Sequence, residues 1–104
     1  MLQAVMDWTD PNNVMVRRGT GLIEAEMDGE IVGLHIDNGM CYGFNPTATR
    51  TWQLIEQPRS FAELCATLAD EFDVDPATCE ADVRDLLVDL ASDGIVIISD
   101  GILR

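Results

Sequence analysis

Positive charge is scarce in this chain: Lys and Arg number six against nineteen Asp and Glu, for a formal charge of −13. A field of that sign repels phosphate backbones and anionic lipid head groups, which argues against nucleic acid or a membrane surface as partner. What binds is expected to be neutral, basic or apolar where it touches. Long apolar runs are missing too, none approaching the roughly 18 residues of a membrane helix. Met1 to Asp10 lacks the basic start and apolar block of a secretory signal. The three cysteines, Cys41, Cys65 and Cys79, form no CxxC pair. Scattered in this way they read as reduced thiols in a cytoplasmic protein, serving as small hydrophobes.

What is present suffices for one domain over residues 1–104: the chain is 47% hydrophobic, enough for a single small core. A deep enclosed active site would leave little apolar material to hold such a fold. Residues 1–13 show no period and end in the turn-rich Asp10-Pro11-Asn12-Asn13, so they read as a loosely held arm. Val14 to Arg17 suits a short strand.

From Leu22 the period is two. Ile23, Ala25 and Met27 alternate with Leu22, Glu24 and Glu26, giving an apolar and a mostly acidic face. Asp28-Gly29 suits a tight hairpin turn, after which Val32, Leu34 and Ile36 share one side of a second strand. Asp37-Asn38-Gly39 is a second turn and Met40 to Phe44 a third strand. Three adjacent strands joined by two turns make an antiparallel meander.

At Asn45-Pro46 the period becomes helical, with a cap followed by a proline at the first turn. Ala48, Trp52 and Ile55 share a face, and Gln57-Pro58 ends this helix. Ser60-Phe61-Ala62-Glu63 is a capping box opening a second helix along Phe61, Leu64, Leu68 and Phe72. Asp75-Pro76 starts a third, with Cys79, Val83, Leu86, Leu87 and Leu90 as its stripe and Gly94 as its stop. Ile95 to Ile98, the turn Ser99-Asp100-Gly101 and Ile102-Leu103 suggest a terminal strand pair. The order predicts an α+β domain: a three-stranded meander, three helices packed on one face of the sheet, and a short β-tail.

Catalytic motifs are weak. His35, the single histidine, has no partnered nucleophile or acid nearby in sequence and reads as structural or surface. A zinc site from His35, Cys41, Cys65 and Cys79 would draw on four elements without a close ligand pair. Asp70, Glu71, Asp73 and Asp75 lack the ligand order of a calcium loop. Asp82, Asp85 and Asp89 form a solvated acidic face. Gly19-Thr20-Gly21 lacks the lysine and following helix of a phosphate cradle. Helices two and three with a β-tail have a winged-helix outline, yet the third helix carries Arg84 alone among acids, which DNA would repel. The sequence thus points to a binding protein with no catalytic residues, metal or cofactor.

The third strand comes last in its meander and is expected at an edge. Such a strand exposes unpaired main-chain groups and templates another strand. Met40 to Phe44 has no Lys or Pro to blunt it, and Gly43 admits a second backbone. The N–H of Tyr42 is expected among the free groups. The alternatives are an edge covered by the arm or β-tail, or paired with a second copy as a homodimer.

The run from Asp28-Gly29-Glu30-Ile31-Val32-Gly33-Leu34 through Asn38-Gly39-Met40-Cys41-Tyr42-Gly43-Phe44-Asn45-Pro46-Thr47-Ala48 resembles the PqqD-like proteins. These are the recognition elements that bind leader peptides of ribosomally made, modified peptides. Trp52-Gln53-Leu54-Ile55, Phe61-Ala62-Glu63-Leu64, Phe72-Asp73-Val74-Asp75, Asp82-Val83 and Leu86-Leu87 before Gly94 agree, over residues 20–98. The resemblance implies a winged-helix-like fold with the leader peptide added as a strand between the third strand and the third helix. By position it implies contacts at Met40, Cys41, Tyr42, Gly43 and Phe44, and at Val83, Arg84, Leu87 and Val88. It implies presentation to modifying enzymes such as a leader peptidase and cyclase of the lasso-peptide type, to which Asn-Pro-Thr-Ala at the first helix is closer. The alternatives are a PQQ-type chaperone for a radical-SAM enzyme and an acidic winged-helix regulator.

Overall fold

The architecture is that of a computed structural model, which describes residues 11–100, and its helices start where the sequence places their caps. Helix α1 (Pro46–Leu54) opens with Asn45 Oδ1 accepting from the Ala48 N–H at 2.8 Å. Helix α2 (Phe61–Phe72) has the reciprocal box, Glu63 N–H to Ser60 Oγ at 3.0 Å and Ser60 N–H to Glu63 Oε1 at 3.2 Å. Helix α3 (Pro76–Ser92) is capped by Asp75, which accepts from the Thr78 N–H at 3.1 Å. Each cap satisfies an N–H that the helix's own ladder leaves over. Gly94, at φ +78°, ends α3: its N–H reaches Ala91 O and that of Ile95 reaches Leu90 O. That pair of bonds needs a left-handed residue, which glycine adopts without a Cβ clash.

Six strands are described: β1 (Val14–Arg18), β2 (Leu22–Met27), β3 (Glu30–His35), β4 (Cys41–Gly43), β5 (Arg59–Ser60) and β6 (Val96–Asp100). They form two antiparallel three-stranded sheets, the predicted meander β2-β3-β4 and a second sheet β5-β1-β6. The expected β-tail is present as β6, but its partner is β1 and its expected turn is not there. Ser99 and Asp100 are not a turn but strand, paired with Met15 and Val14 of β1. Ile102 and Leu103, and residues 1–10 of the expected arm, lie outside the described residues. Pro11–Asn13 forms a short 3-10 turn into β1.

The core gathers Val14 and Val16 of β1, Phe61, Leu64 and Leu68 of α2, Val83 and Leu87 of α3, and Ile95, all essentially inaccessible. Arg50 of α1 holds Glu71 of α2 through two hydrogen bonds of 2.8 and 2.9 Å. This hydrogen-bonded guanidinium keeps the Glu71 carboxyl below its ordinary range.

In the meander the register is as the alternation predicts, Ile23 opposite Leu34 and Ala25 opposite Val32. The face carrying those residues nevertheless looks outward: Ile23 is 60% exposed, Leu34 41% and Ile36 60%. The body of the protein packs on the other face, where Ile31, Gly33 and His35 are buried and Leu22 and Tyr42 half-buried. Gly33 makes this possible, since a Cβ there would lie 2.7 Å from Leu22 Cδ1. His35 is structural: its Nδ1 accepts the Asp37 N–H at 3.3 Å, and its ring sits against the Gly94 turn.

Candidate functional site: the free edge of the meander

β4 ends the sheet order β2-β3-β4, and among the described residues it pairs with β3 alone. Which of its main-chain groups are free follows from the bonds at either end. His35 N–H donates to Met40 O at 3.0 Å, and Phe44 N–H donates to Ile31 O at 2.8 Å. Hydrogen-bonded and non-bonded pairs alternate along an antiparallel ladder. Gly33 opposite Tyr42 is therefore a bonded pair, and Cys41 and Gly43 turn their N–H and C=O groups away from β3. The free groups belong to these two residues. Tyr42, expected to present a free N–H, is bonded within the sheet. At Gly43 nothing lies within 4 Å of where a Cβ would stand, so the outer face is open there too.

The side chains follow the same alternation. Cys41 is exposed on the outer face, while Tyr42 leans inward, half-buried against the core. Asn38 fixes the entry to the strand, a role that its turn composition alone did not disclose. Its Oδ1 accepts the Met40 N–H at 2.8 Å and its Nδ2 donates to the Tyr42 hydroxyl at 3.0 Å. Phe44 is buried edge-to-face against Trp52, ring centroids 6.0 Å apart. Thr49, also unforeseen, accepts from Ile31 N–H and donates to Phe44 O, each at 3.2 Å, and so locks the end of β4 to α1.

Of the nine residues singled out in the sequence, the edge brings Met40 to Gly43 together at the surface. Phe44, Val83 and Leu87 go to the core. Arg84 is half-buried beside α2, where its charge draws the Cys65 thiol pKa down. Stronger opposing effects, burial first and then Cys79 and Glu80, push that thiol up to about 12. Val88 is exposed on α3 and Leu86, on the same helix, half-buried against the core. Among the described residues no three His, Cys, Asp or Glu side chains converge as a metal site would need. Nor is any described helix long and apolar enough to cross a membrane.

The sequence model for coenzyme PQQ synthesis protein D, PqqD, matches residues 30–96. The chain belongs to the PqqD family. Its PqqD segment begins with β3, contains β4 and all three helices, and closes on the first residue of β6. In three dimensions the chain is similar to TbiB1, solved in complex with the TbiA(beta) leader peptide. The TM-score is 0.71 with 30% identity, over 77% of this chain and 93% of that one. No curated protein matches the chain. The edge of β4 is one of the sheet edges with main-chain bonding capacity to spare, and it lies within the matched segment.

Proposed function

We propose that this PqqD-family chain binds the leader segment of a ribosomally made precursor peptide as an added strand on β4, and presents it to modifying enzymes. The observation that carries this reading is the outward direction of the Cys41 and Gly43 main-chain groups on a terminal strand. Two donors and two acceptors there match the spacing of an incoming extended peptide. The leader-peptide complex of TbiB1 supports the choice of ligand. The protein acts as a carrier without a catalytic residue of its own; its histidine is buried and already engaged at Nδ1.

The downstream enzymes are of the lasso-peptide type, a leader peptidase and a cyclase, on the resemblance of the α1 start. The description of the matching family favours a second reading, a PQQ-type precursor passed to a radical-SAM enzyme. A fluorescently labelled leader peptide, with the TbiA(beta) leader as the first probe, tests the mode of binding. Saturable 1:1 binding is expected, lost when the peptide amides that face β4 are N-methylated. A folded chain that binds the N-methylated leader as well as the unmodified one overturns strand addition.

A further inference from the structure

His35 stands where the meander meets the rest of the fold. It is 5% exposed, and its main chain frames the turn into β4. Its N–H donates to Met40 O at 3.0 Å, and its carbonyl accepts the Gly39 N–H at 2.8 Å. The side chain adds a third bond to the same turn, Nδ1 accepting the Asp37 N–H at 3.3 Å. A nitrogen that accepts carries no hydrogen, so the uncharged ring carries its hydrogen on Nε2. That Nε2 is buried and has no partner among the described residues. A buried donor without a partner opposes folding, and an apolar side chain in its place would avoid that cost. What the imidazole supplies and an apolar side chain cannot is the acceptor at Nδ1.

We propose that His35 is a positioning residue for the peptide edge, and that it acts only while its ring is uncharged. The consequence for the peptide rests on the strand-addition reading. A proton taken from solvent must go to Nδ1, the ring nitrogen without a hydrogen. Two N–H groups then face each other and the bond from Asp37 is lost. The next residue of the turn, Asn38, holds the Met40 N–H at 2.8 Å and the Tyr42 hydroxyl at 3.0 Å. Release at Asp37 is therefore passed to the residues that lead into β4 and lie within it. Acid loosens the strand that receives the leader.

The surroundings leave the ring little room to turn away. A Cβ built on Gly21 would lie 3.5 Å from its Cε1, and one built on Gly94 would lie 3.8 Å from its Nε2. The loop before β2 and the terminus of α3 thus hold it on two sides. Each side has one carboxylate close by. Asp37 Oδ2 lies 3.6 Å from that same Gly21 position, and Asp93, the C-cap of α3, adjoins Gly94. Opposite His35 on β2 stands the uncharged Leu22. Among the described residues neither carboxylate bonds the ring, whose one hydrogen bond is to the Asp37 main chain. Because the bound state needs the uncharged ring, leader affinity is full at high pH and is lost as the ring takes up its proton.

The test titrates the full chain with a fluorescently labelled TbiA(beta) leader from about pH 7.5 down to about pH 5.5, within the range in which histidine side chains ordinarily change charge. One proton limits the loss to about a hundredfold over two pH units, and wild type should lose roughly tenfold. In the free chain, hydrogen exchange by NMR should show the protection factors of the Asp37 and Met40 amides falling over the same range. His35→Asn keeps an acceptor beside the Asp37 N–H and cannot be charged. It should bind the leader nearly as wild type does at the upper pH and show a flat profile. Wild-type affinity or amide protection that ignores pH, or a profile as steep in His35→Asn as in wild type, overturns the role of His35 and leaves strand addition standing. A chain whose turn loses protection in acid but which binds no leader at any pH overturns the strand-addition reading instead.

Discussion

The indole Nε1 of Trp52 donates a 2.6 Å hydrogen bond to Glu24 Oε1, joining helix α1 to the inward face of strand β2. Around it, Arg18 of β1 lies 4.4 Å over the indole and donates to the Trp52 carbonyl from both Nε and Nη2. Three elements thus meet on one buried aromatic ring. Removing the acceptor strands a buried N–H, so Glu24→Ala should lower unfolding stability by about 1–3 kcal/mol. Glu24→Gln, which keeps an acceptor, should cost less than half of that. Urea denaturation of the two variants decides; equal losses would mean that the carboxylate acts through charge alone.

At the peptide edge, the effect of a proline depends on which residue carries it. Gly43→Pro deletes an outward donor and should weaken leader binding by roughly tenfold, one lost hydrogen bond of about 1 kcal/mol plus a crowded approach. Tyr42→Pro deletes a donor of the β3–β4 ladder instead. It should lower the melting temperature as well as the affinity, and circular dichroism melts beside peptide titrations separate the two cases.

The thiols should react in a fixed order. Cys41 is exposed, whereas burial pushes Cys79 up and Cys65 to about 12. Three pH units mean about a thousandfold less thiolate at Cys65 than at its ordinary value. Iodoacetamide at pH 8 should therefore alkylate Cys41 first and leave Cys65 intact in the folded protein, read by peptide mass spectrometry. Leader bound at the edge should slow the Cys41 reaction.

Two glycines make a contrasting pair. A Cβ at Gly19 would stand 2.4 Å from the Gly94 carbonyl oxygen, backbone against backbone, while one at Gly43 would meet nothing within 4 Å. Gly19→Ala should cost about 2 kcal/mol or more, since the loop before β2 must move off the α3 terminus. Gly43→Ala should leave stability nearly unchanged. Thermal melts of both variants check the contrast.

Much of this fold is readable in short windows of sequence because its causes are local. Asn45, Ser60 and Asp75 cap helices through bonds to residues three positions on, and Asp28-Gly29 turns between adjacent strands. The pairing of Val14–Arg18 with Val96–Asp100 has no local cause, which is why the β-tail was expected to fold on itself. The alternation in the meander yields the register but not which face packs. The packed side holds Leu22, Gly33, His35 and Tyr42, less apolar than the open side, and it wins through the fit of Leu22 over Gly33 and of Trp52 on Glu24. At the site, the edge position of β4 is legible from strand order, and the assignment of its free groups to Cys41 and Gly43 needs the ladder. Val83 and Leu87 fall on the apolar stripe of α3 read from spacing, and the core takes them, which leaves Val88 as the exposed apolar residue among the four α3 positions that the resemblance named.

The partnership of β1 with β6 has a consequence for how the molecule is made. Every strand pair of the meander joins near neighbours, so that part can assemble while the chain is still being synthesised. Val14 and Val16 emerge earlier still, yet the β6 strand that pairs with them follows all three helices in the chain. Until Val96–Asp100 leaves the ribosome, β1 stays without β6, and the newborn polypeptide carries a sticky strand that chaperones or its own acidic repulsion must keep apart from its neighbours.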